Sequence, residues 1–463
     1  MLQTLRAIPG YAEFLRSGLA LTPANFGIKY VRWPYDPAVS AGGGLTSSVP
    51  SRWQSELDGR IGWIRAFDPS LHGRYAGGSF VQVGMTSEAS SVPYGRMEGG
   101  TWYQGMLRAD GSYDWSKLDL LLASAQAKGC RVLMSIGAQG EYYDGTRHTE
   151  YPLPTGEYRS LDPDAYYARW IKFLDALLDR GGDRIAGIEV ANEPGKLVRR
   201  NTVIGPGWTE SLSIKCRILK QLVRAKRLQT LVVSPPFQGG EYGEVKAFLT
   251  ASAAGPALYG VDGTGSVGRD WIDVCAHHLY GNFADRAAGG STAAIDAAGF
   301  NDVAADAAYP ANTTFADILA KAAGVRSNAI AGGWRGPLWN TEFNCTGSVG
   351  TSAWCPRKLT QSGFERVIMQ AMIGSFLGGF DLAVWYAADH PALGLFDNTG
   401  SVPVGEPADW YFKAPDNTAR GAAALASVIG ILTAGEFAGG RTDGYPWFAS
   451  GARPLVSKTG VFI

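Results

Sequence analysis

Two acids stand where apolar runs stop. In "RIAGIEVANEP" Glu193 lies between Asn192 and Pro194 at the end of a run that begins at Arg184, and in "GPLWNTEFN" Glu342 closes a run that begins at Gly336. Two carboxylates that meet in one cleft can break a glycosidic bond with retention of configuration. One protonates the leaving oxygen while the other attacks the anomeric carbon, which requires a separation of about 5 to 5.5 Å. The Asn-Glu-Pro triplet alone fits a solvated turn after a strand equally well, so its neighbours in space must decide.

Other strand ends supply candidates for those neighbours. In "WIDVCAHHLY" the period of two along a strand puts His278 and Tyr280 on one face and His277 on the other, which argues against a two-histidine metal site. A Tyr280 hydroxyl beside Glu342 would keep that carboxylate ionised and correctly turned. Arg65, in "IGWIRAF", brings a fixed positive charge of the kind that lowers a carboxylate pKa. Trp385, in "DLAVWYAADH", offers a ring wide enough to floor a sugar subsite, although a ring in an apolar run also suits plain core packing. Glu189 falls on the same strand face as Glu193 but deeper, and reads as a buried structural carboxylate paired with an arginine.

Positioning such groups takes a scaffold whose strand ends converge. Eight short, β-rich apolar runs recur, starting at Phe26, Ile61, Arg131, Arg184, Thr230, Trp271, Gly336 and Asp381. Amphipathic segments separate them. In "DWSKLDLLLASAQAKG" Leu118, Leu121, Leu122 and Ala125 keep the helical period and Gly129 is the stop; "DPDAYYARWIKFLDALLDRGG" has Asp162 as cap and Gly181 past the end. Eight strand-and-helix units predict an α/β chain closed into a (β/α)8 TIM barrel, in which chemistry sits where strands end and the next loops begin. Strands four and seven then face each other across the rim, with Glu193 on one and Glu342 on the other.

Asn-Glu-Pro after strand four, His-x-Tyr after strand six, Glu after strand seven and Trp after strand eight together resemble the clan A retaining glycoside hydrolases, which include cellulase-, mannanase- and xylosidase-like enzymes. The stretch "DGSYDWSKLDLLLASAQAKGCRVLMSIG" is similar to their passage from strand two to strand three. The resemblance implies Glu193 as general acid/base and Glu342 as nucleophile. It further implies Asn192 on the sugar 2-hydroxyl, Arg65 and Tyr280 supporting Glu342, and His278 and Trp385 touching substrate. It departs at Ala191, where many relatives carry an aromatic residue, and in "AQGEYYDG", which lacks a histidine often found there.

Composition limits the partners. The 463 residues are 46% hydrophobic and 11% aromatic, ample for a core, and Lys plus Arg balance Asp plus Glu at 42 each. A neutral chain advertises no basic face for nucleic acid, and a polysaccharide or oligosaccharide is the expected partner. Loop aromatics, namely Trp102, Tyr103, Tyr142, Tyr143, Trp334, Trp354 and Trp410, suit further sugar subsites. The first twenty residues hold no signal-peptide core, although a saccharide substrate favours an extracellular or periplasmic site. The run "GAAALASVIGILTAG" reads as a buried helix, so no membrane segment is expected. With no repeat or linker to divide the chain, one barrel domain over 26–440 is expected, preceded by an extension over 1–25 and followed by a tail over 441–463. Neither a zinc pattern nor a cofactor is expected. Among five cysteines, Cys345 and Cys355 share one loop and could staple it. Asn312 and Asn344 head sequons. The alternatives to a hydrolase are a catalytically inactive carbohydrate-binding barrel and a transglycosylase using the same residues.

Overall fold

Each of the eight apolar runs forms a strand in the computed structural model. The structure describes residues 11–30, 57–67, 95–98, 101–104, 113, 115–136, 141–143, 146–148, 163–194, 208–238, 242–282, 313–346, 361–386 and 420–433. The strands are β1 Phe26–Tyr30, β2 Trp63–Phe67, β3 Arg131–Ser135, β4 Ile185–Glu189, β5 in two pieces, Leu231–Val233 and Phe237–Gln238, β6 Cys275–Asn282, β7 Leu338–Thr346 and β8 Leu382–Tyr386. Each pairs in parallel with the next, and β8 pairs with β1. The circle closes at β5. Its first piece lies on β4, its second on β6, and Val233 bridges to Val274. This is a closed (β/α)8 barrel.

Helices cover the outside: α1 Tyr11–Ser17, α2 Ser116–Ala127, α3 Pro163–Gly181, α4 Trp208–Ala225, α5 Tyr242–Thr250, α6 Thr313–Ala331, α7 Gln361–Leu377 and α8 Arg420–Thr433. Helix α2 ends as its sequence predicts. Gly129 takes φ +67, its N–H reaches Gln126 O at 3.0 Å and the Cys130 N–H reaches Ala125 O at 2.9 Å, a Schellman closure. Helix α3 ends one residue later than expected. Gly181 is still helical, and Gly182 takes the left-handed turn at φ +54. Helix α8 is the buried "GAAALASVIGILT" run, and no helix among the described residues is long and apolar enough to cross a membrane.

Alternation along the strands sorts side chains into two cores. Outward residues such as Phe26, Ile28, Ile64, Phe343 and Trp385 join the helices in the main apolar layer. Inward residues build a smaller floor inside the barrel, from Trp63, Leu133, Val233, Trp339, Leu382 and Val384. The rings of Trp63 and Trp339 meet edge to face at 4.9 Å, and Gly27 leaves them room, since a Cβ there would stand 3.0 Å from Trp63 Cβ and Val384 Cγ2. Above that floor the interior turns polar. Lys29, Arg65, Ser135, Glu189, His278 and Glu342 are all at least 97% buried.

Candidate active site

A bulge aims Glu342. Along β6 and β7, Ala276 pairs with Trp339 and His277 with Asn340, but His278 pairs with Glu342, so Thr341 is an extra residue. Trp339 below the bulge faces inward. Above it the alternation reverses, so that Phe343 packs outward against Trp385, at 5.1 Å between ring centroids, and Glu342 faces the interior. With unbroken alternation Thr341 would take the interior place and Glu342 would point at the helices. Asn340 holds the irregularity open. Its Oδ1 accepts the Leu279 N–H at 3.0 Å, and its Nδ2 donates to Ser375 Oγ on α7 at 3.0 Å.

The Glu342 carboxylate then meets two cations and a phenol. Arg65 Nη1 donates to Oε1 at 2.5 Å, the Lys29 ammonium donates to the same oxygen, and Tyr280 OH donates to Oε2 at 2.6 Å. Burial works against ionisation here, but the charge of His278 when protonated, with those of Lys29 and Arg65, more than offsets it and holds the group well below the usual carboxylate range. Burial, followed by the charge of Glu342, pushes the Tyr280 hydroxyl far up, so it remains a donor. Burial pulls Lys29 down to about 8 although Glu342 pulls it upward. Arg65 is also opposed by burial, but Glu189 and Glu342 restore its charge. Arg65 spans the site. Its Nε donates to Glu189 Oε2 at 2.7 Å and its Nη2 to Asn192 Oδ1 at 2.8 Å.

Glu193 arrives by a turn. Strand β4 ends at Glu189, and Glu193 adopts φ +49, a region costly for a residue with a side chain. Its N–H is tied to Pro236 O at 3.0 Å, which anchors the turn to β5. The turn brings Oε1 to 2.8 Å from His278 Nδ1, and the same nitrogen lies 3.5 Å from Glu342 Oε2. Oxygens of Glu193 and Glu342 and a nitrogen of His278 all lie within 4.8 Å of one another. Three such donors are a possible cation cradle by type. The two cations already on Glu342 oppose a third, so the set is better suited to moving a proton.

Six of the seven predicted residues therefore meet in one cluster: Glu193, Glu342, Arg65, Asn192, His278 and Tyr280. Trp385 does not join them. It faces outward into the layer beneath the helices with no exposed surface, and Tyr386 is the β8 residue that reaches the interior. Tyr386 stands edge-on to Tyr280 at 6.2 Å and beneath the Lys29 ammonium at 4.6 Å. The reason is register. Leu382 and Val384 point inward, so Trp385 must point out. His277 is likewise outward, its ring 6.2 Å from that of Tyr242. Asn344 is buried and donates to Tyr386 O, which leaves no room for a glycan, and Trp334 packs at the opposite end of β7, donating to Pro337 O at 3.1 Å. The side chains of Trp102, Tyr103, Tyr142, Tyr143, Trp354 and Trp410, Asn312, the Cys345–Cys355 pairing and the tail over 441–463 lie outside the described set.

Lys29 and Tyr386 are the functional candidates that the strand-end motifs missed. The signal for Lys29 was a charged residue inside the apolar run "FGIKYV", on the face opposite Phe26 and Ile28.

No family model and no curated protein matches the chain. Among solved structures, it is similar to an exo-β-1,4-mannosidase from an Opitutaceae bacterium, at 15% identity and a TM-score of 0.45, covering 89% of this chain and 60% of that one. A monomeric β-xylosidase from Caulobacter crescentus shares 15% identity at a TM-score of 0.47, covering 88% of this chain and 69% of that one. A broad specificity endoglucanase from Bacteroides salanitronis shares 15% at 0.45, with 90% and 93% covered. The chain spans 60% of the length of the mannosidase.

Proposed function

We propose that the protein is a retaining glycoside hydrolase that cleaves O-glycosidic bonds of a polysaccharide or oligosaccharide by double displacement. The observation that carries this reading is the approach of Glu193 and Glu342 oxygens to within 4.8 Å, one carboxylate flanked by cations and the other by an imidazole. A carboxylate held ionised by Lys29 and Arg65 suits a nucleophile. A carboxyl paired with the imidazole of His278 suits a group that gives up and regains a proton.

In the first half-reaction Glu342 bonds to the anomeric carbon while Glu193 gives its proton to the departing oxygen. In the second, water adds to that carbon, its proton passes to Glu193, and the bonding pair returns to Glu342. Asn192, oriented by Arg65, is placed to accept from or donate to a sugar hydroxyl beside the nucleophile. The differential use of the acid gives the test. Glu193→Ala should slow substrates with poor leaving groups by about 100-fold or more, and dinitrophenyl glycosides, whose phenolate needs no proton, far less. An equal loss on both kinds would remove Glu193 from the acid role.

A further inference from the structure

The two oxygens of Glu342 are not equivalent. Oε1 takes both cations, Arg65 Nη1 at 2.5 Å and the Lys29 ammonium, whereas Oε2 takes a neutral phenol at 2.6 Å and has His278 Nδ1 at 3.5 Å. Lys29 cannot be a solvated surface charge that happens to lie near. Its side chain is 2% exposed and leaves β1 on the inward face, and its ammonium sits 4.6 Å from the Tyr386 ring, a second feature that holds a cation in place. Burying a lysine costs several kcal/mol unless its partner is fixed, so the place is one that the fold maintains.

We propose that Lys29 is a catalytic residue that holds Oε1 of Glu342, leaving Oε2 as the attacking atom, and that its ammonium stabilises the carboxylate as it leaves the glycosyl-enzyme. The proposal rests on the retaining reading and adds to it a second cation with a distinct duty. When Oε2 bonds to the anomeric carbon, the bond to the leaving oxygen breaks and Glu342 becomes an uncharged ester. When water adds, the C–Oε2 bond breaks, its electron pair returns to the carboxylate, and Lys29 and Arg65 receive the reborn charge on Oε1. The lysine proton stays on nitrogen throughout. Interactions that strengthen as charge develops accelerate a step, and those equal in both states do not. Lys29 therefore acts mainly on the second half-reaction. Arg65 keeps its charge at any working pH, but Lys29, held at about 8, is the removable member of the pair.

The test uses 2,4-dinitrophenyl β-glycosides of glucose, mannose and xylose, for which release of the activated phenol is fast and kcat reports hydrolysis of the glycosyl-enzyme. Lys29→Met should lower kcat by about 100-fold, the scale of losing one preorganised donor, with a smaller effect on kcat/KM. The wild-type kcat should fall on the alkaline side from a pH below about 8, because Glu342 is an uncharged ester in the glycosyl-enzyme and no longer raises Lys29, and this alkaline limb should vanish in Lys29→Met. Lys29→Arg, whose charge does not titrate in this range, should recover part of kcat and show no limb either. A Lys29→Met enzyme with kcat within about threefold of wild type and an unchanged alkaline limb would overturn the proposal. Should none of the three glycosides be turned over, the retaining reading is the one in trouble, and Lys29 is judged without activity. In protein labelled at the lysine ε-carbons, the signal absent from Lys29→Met should titrate near 8 and move to lower pH in Glu342→Gln. A Lys29 signal titrating as an ordinary surface lysine in both would overturn the pairing.

Discussion

Arg65 holds three side chains at once, so removing each partner has a different consequence. Glu189 is completely buried and balances a guanidinium that is also buried. Glu189→Ala leaves two buried cations, Arg65 and Lys29, facing the single carboxylate of Glu342, and should cost about 3 to 5 kcal/mol in urea unfolding. Loss of under about 1 kcal/mol would mean that water or another acid takes its place. Glu342→Gly removes the nucleophile itself. Turnover should fall to background, and azide should restore part of it as a glycosyl azide of inverted configuration, read by NMR. Restoration by azide without inversion would contradict a nucleophile at this position. At this scale the sequence was legible where a polar residue closed an apolar run, which exposes Asn192, Glu193, His278, Tyr280 and Glu342, and where a lone cation interrupted one, which exposes Arg65. Lys29 escaped although it stands level with Arg65 on the neighbouring strand, because it belongs to none of the strand-end motifs, and only the inward face it shares with Gly27 reveals that it reaches Glu342.

At the level of elements, strand register decides what a motif can touch. The alternation rule places His278 and Tyr280 together on β6, and it also sends Trp385 outward on β8 once Leu382 and Val384 are known to face the floor. Sequence alone does not show which parity is inward. It also does not show Thr341 as an extra residue, because a bulge is settled by the partner strand, here through the Leu279 N–H that Asn340 accepts. Asn340→Ala should therefore act at a distance from substrate. We expect kcat to fall by about 10-fold or more as Glu342 loses its aim, with KM changed little, and stability to fall by about 1 to 2 kcal/mol for the unpaired Leu279 N–H. Asn340→Asp, which keeps the acceptor, should recover most of kcat. Equal kcat in all three proteins would show that the bulge persists without the amide.

Across the whole molecule, the barrel was the most legible feature, since eight apolar runs with helical segments between them leave little choice of topology. What closes it at the floor was not legible. Asp381 is buried at the start of β8, accepts the Leu338 N–H at 3.0 Å and offers its own carbonyl to Asn25 Nδ2 at 2.8 Å, joining β8 to β7 and to the turn before β1. Burial raises its carboxyl from 3.8 to about 7, only partly opposed by the Leu338 N–H and Arg326. The folded state thus holds this proton more tightly than the unfolded chain. Its contribution to stability is fully present below about 3.8 and is lost as pH rises through about 7, at most about 4 kcal/mol. Asp381→Asn should flatten this part of the stability profile between pH 4 and 8, and an unchanged slope in urea titrations would show that the group titrates normally. Above that floor the barrel brings the ends of β4 and β7 together, and the resulting closeness of Glu193 and Glu342 makes one demand on the reaction itself. Proton NMR of the first product released from a β-glycoside that the enzyme turns over should show the β-anomer before mutarotation mixes the two. An α-anomer appearing first would mean that water attacks directly, and would contradict a covalent intermediate on Glu342.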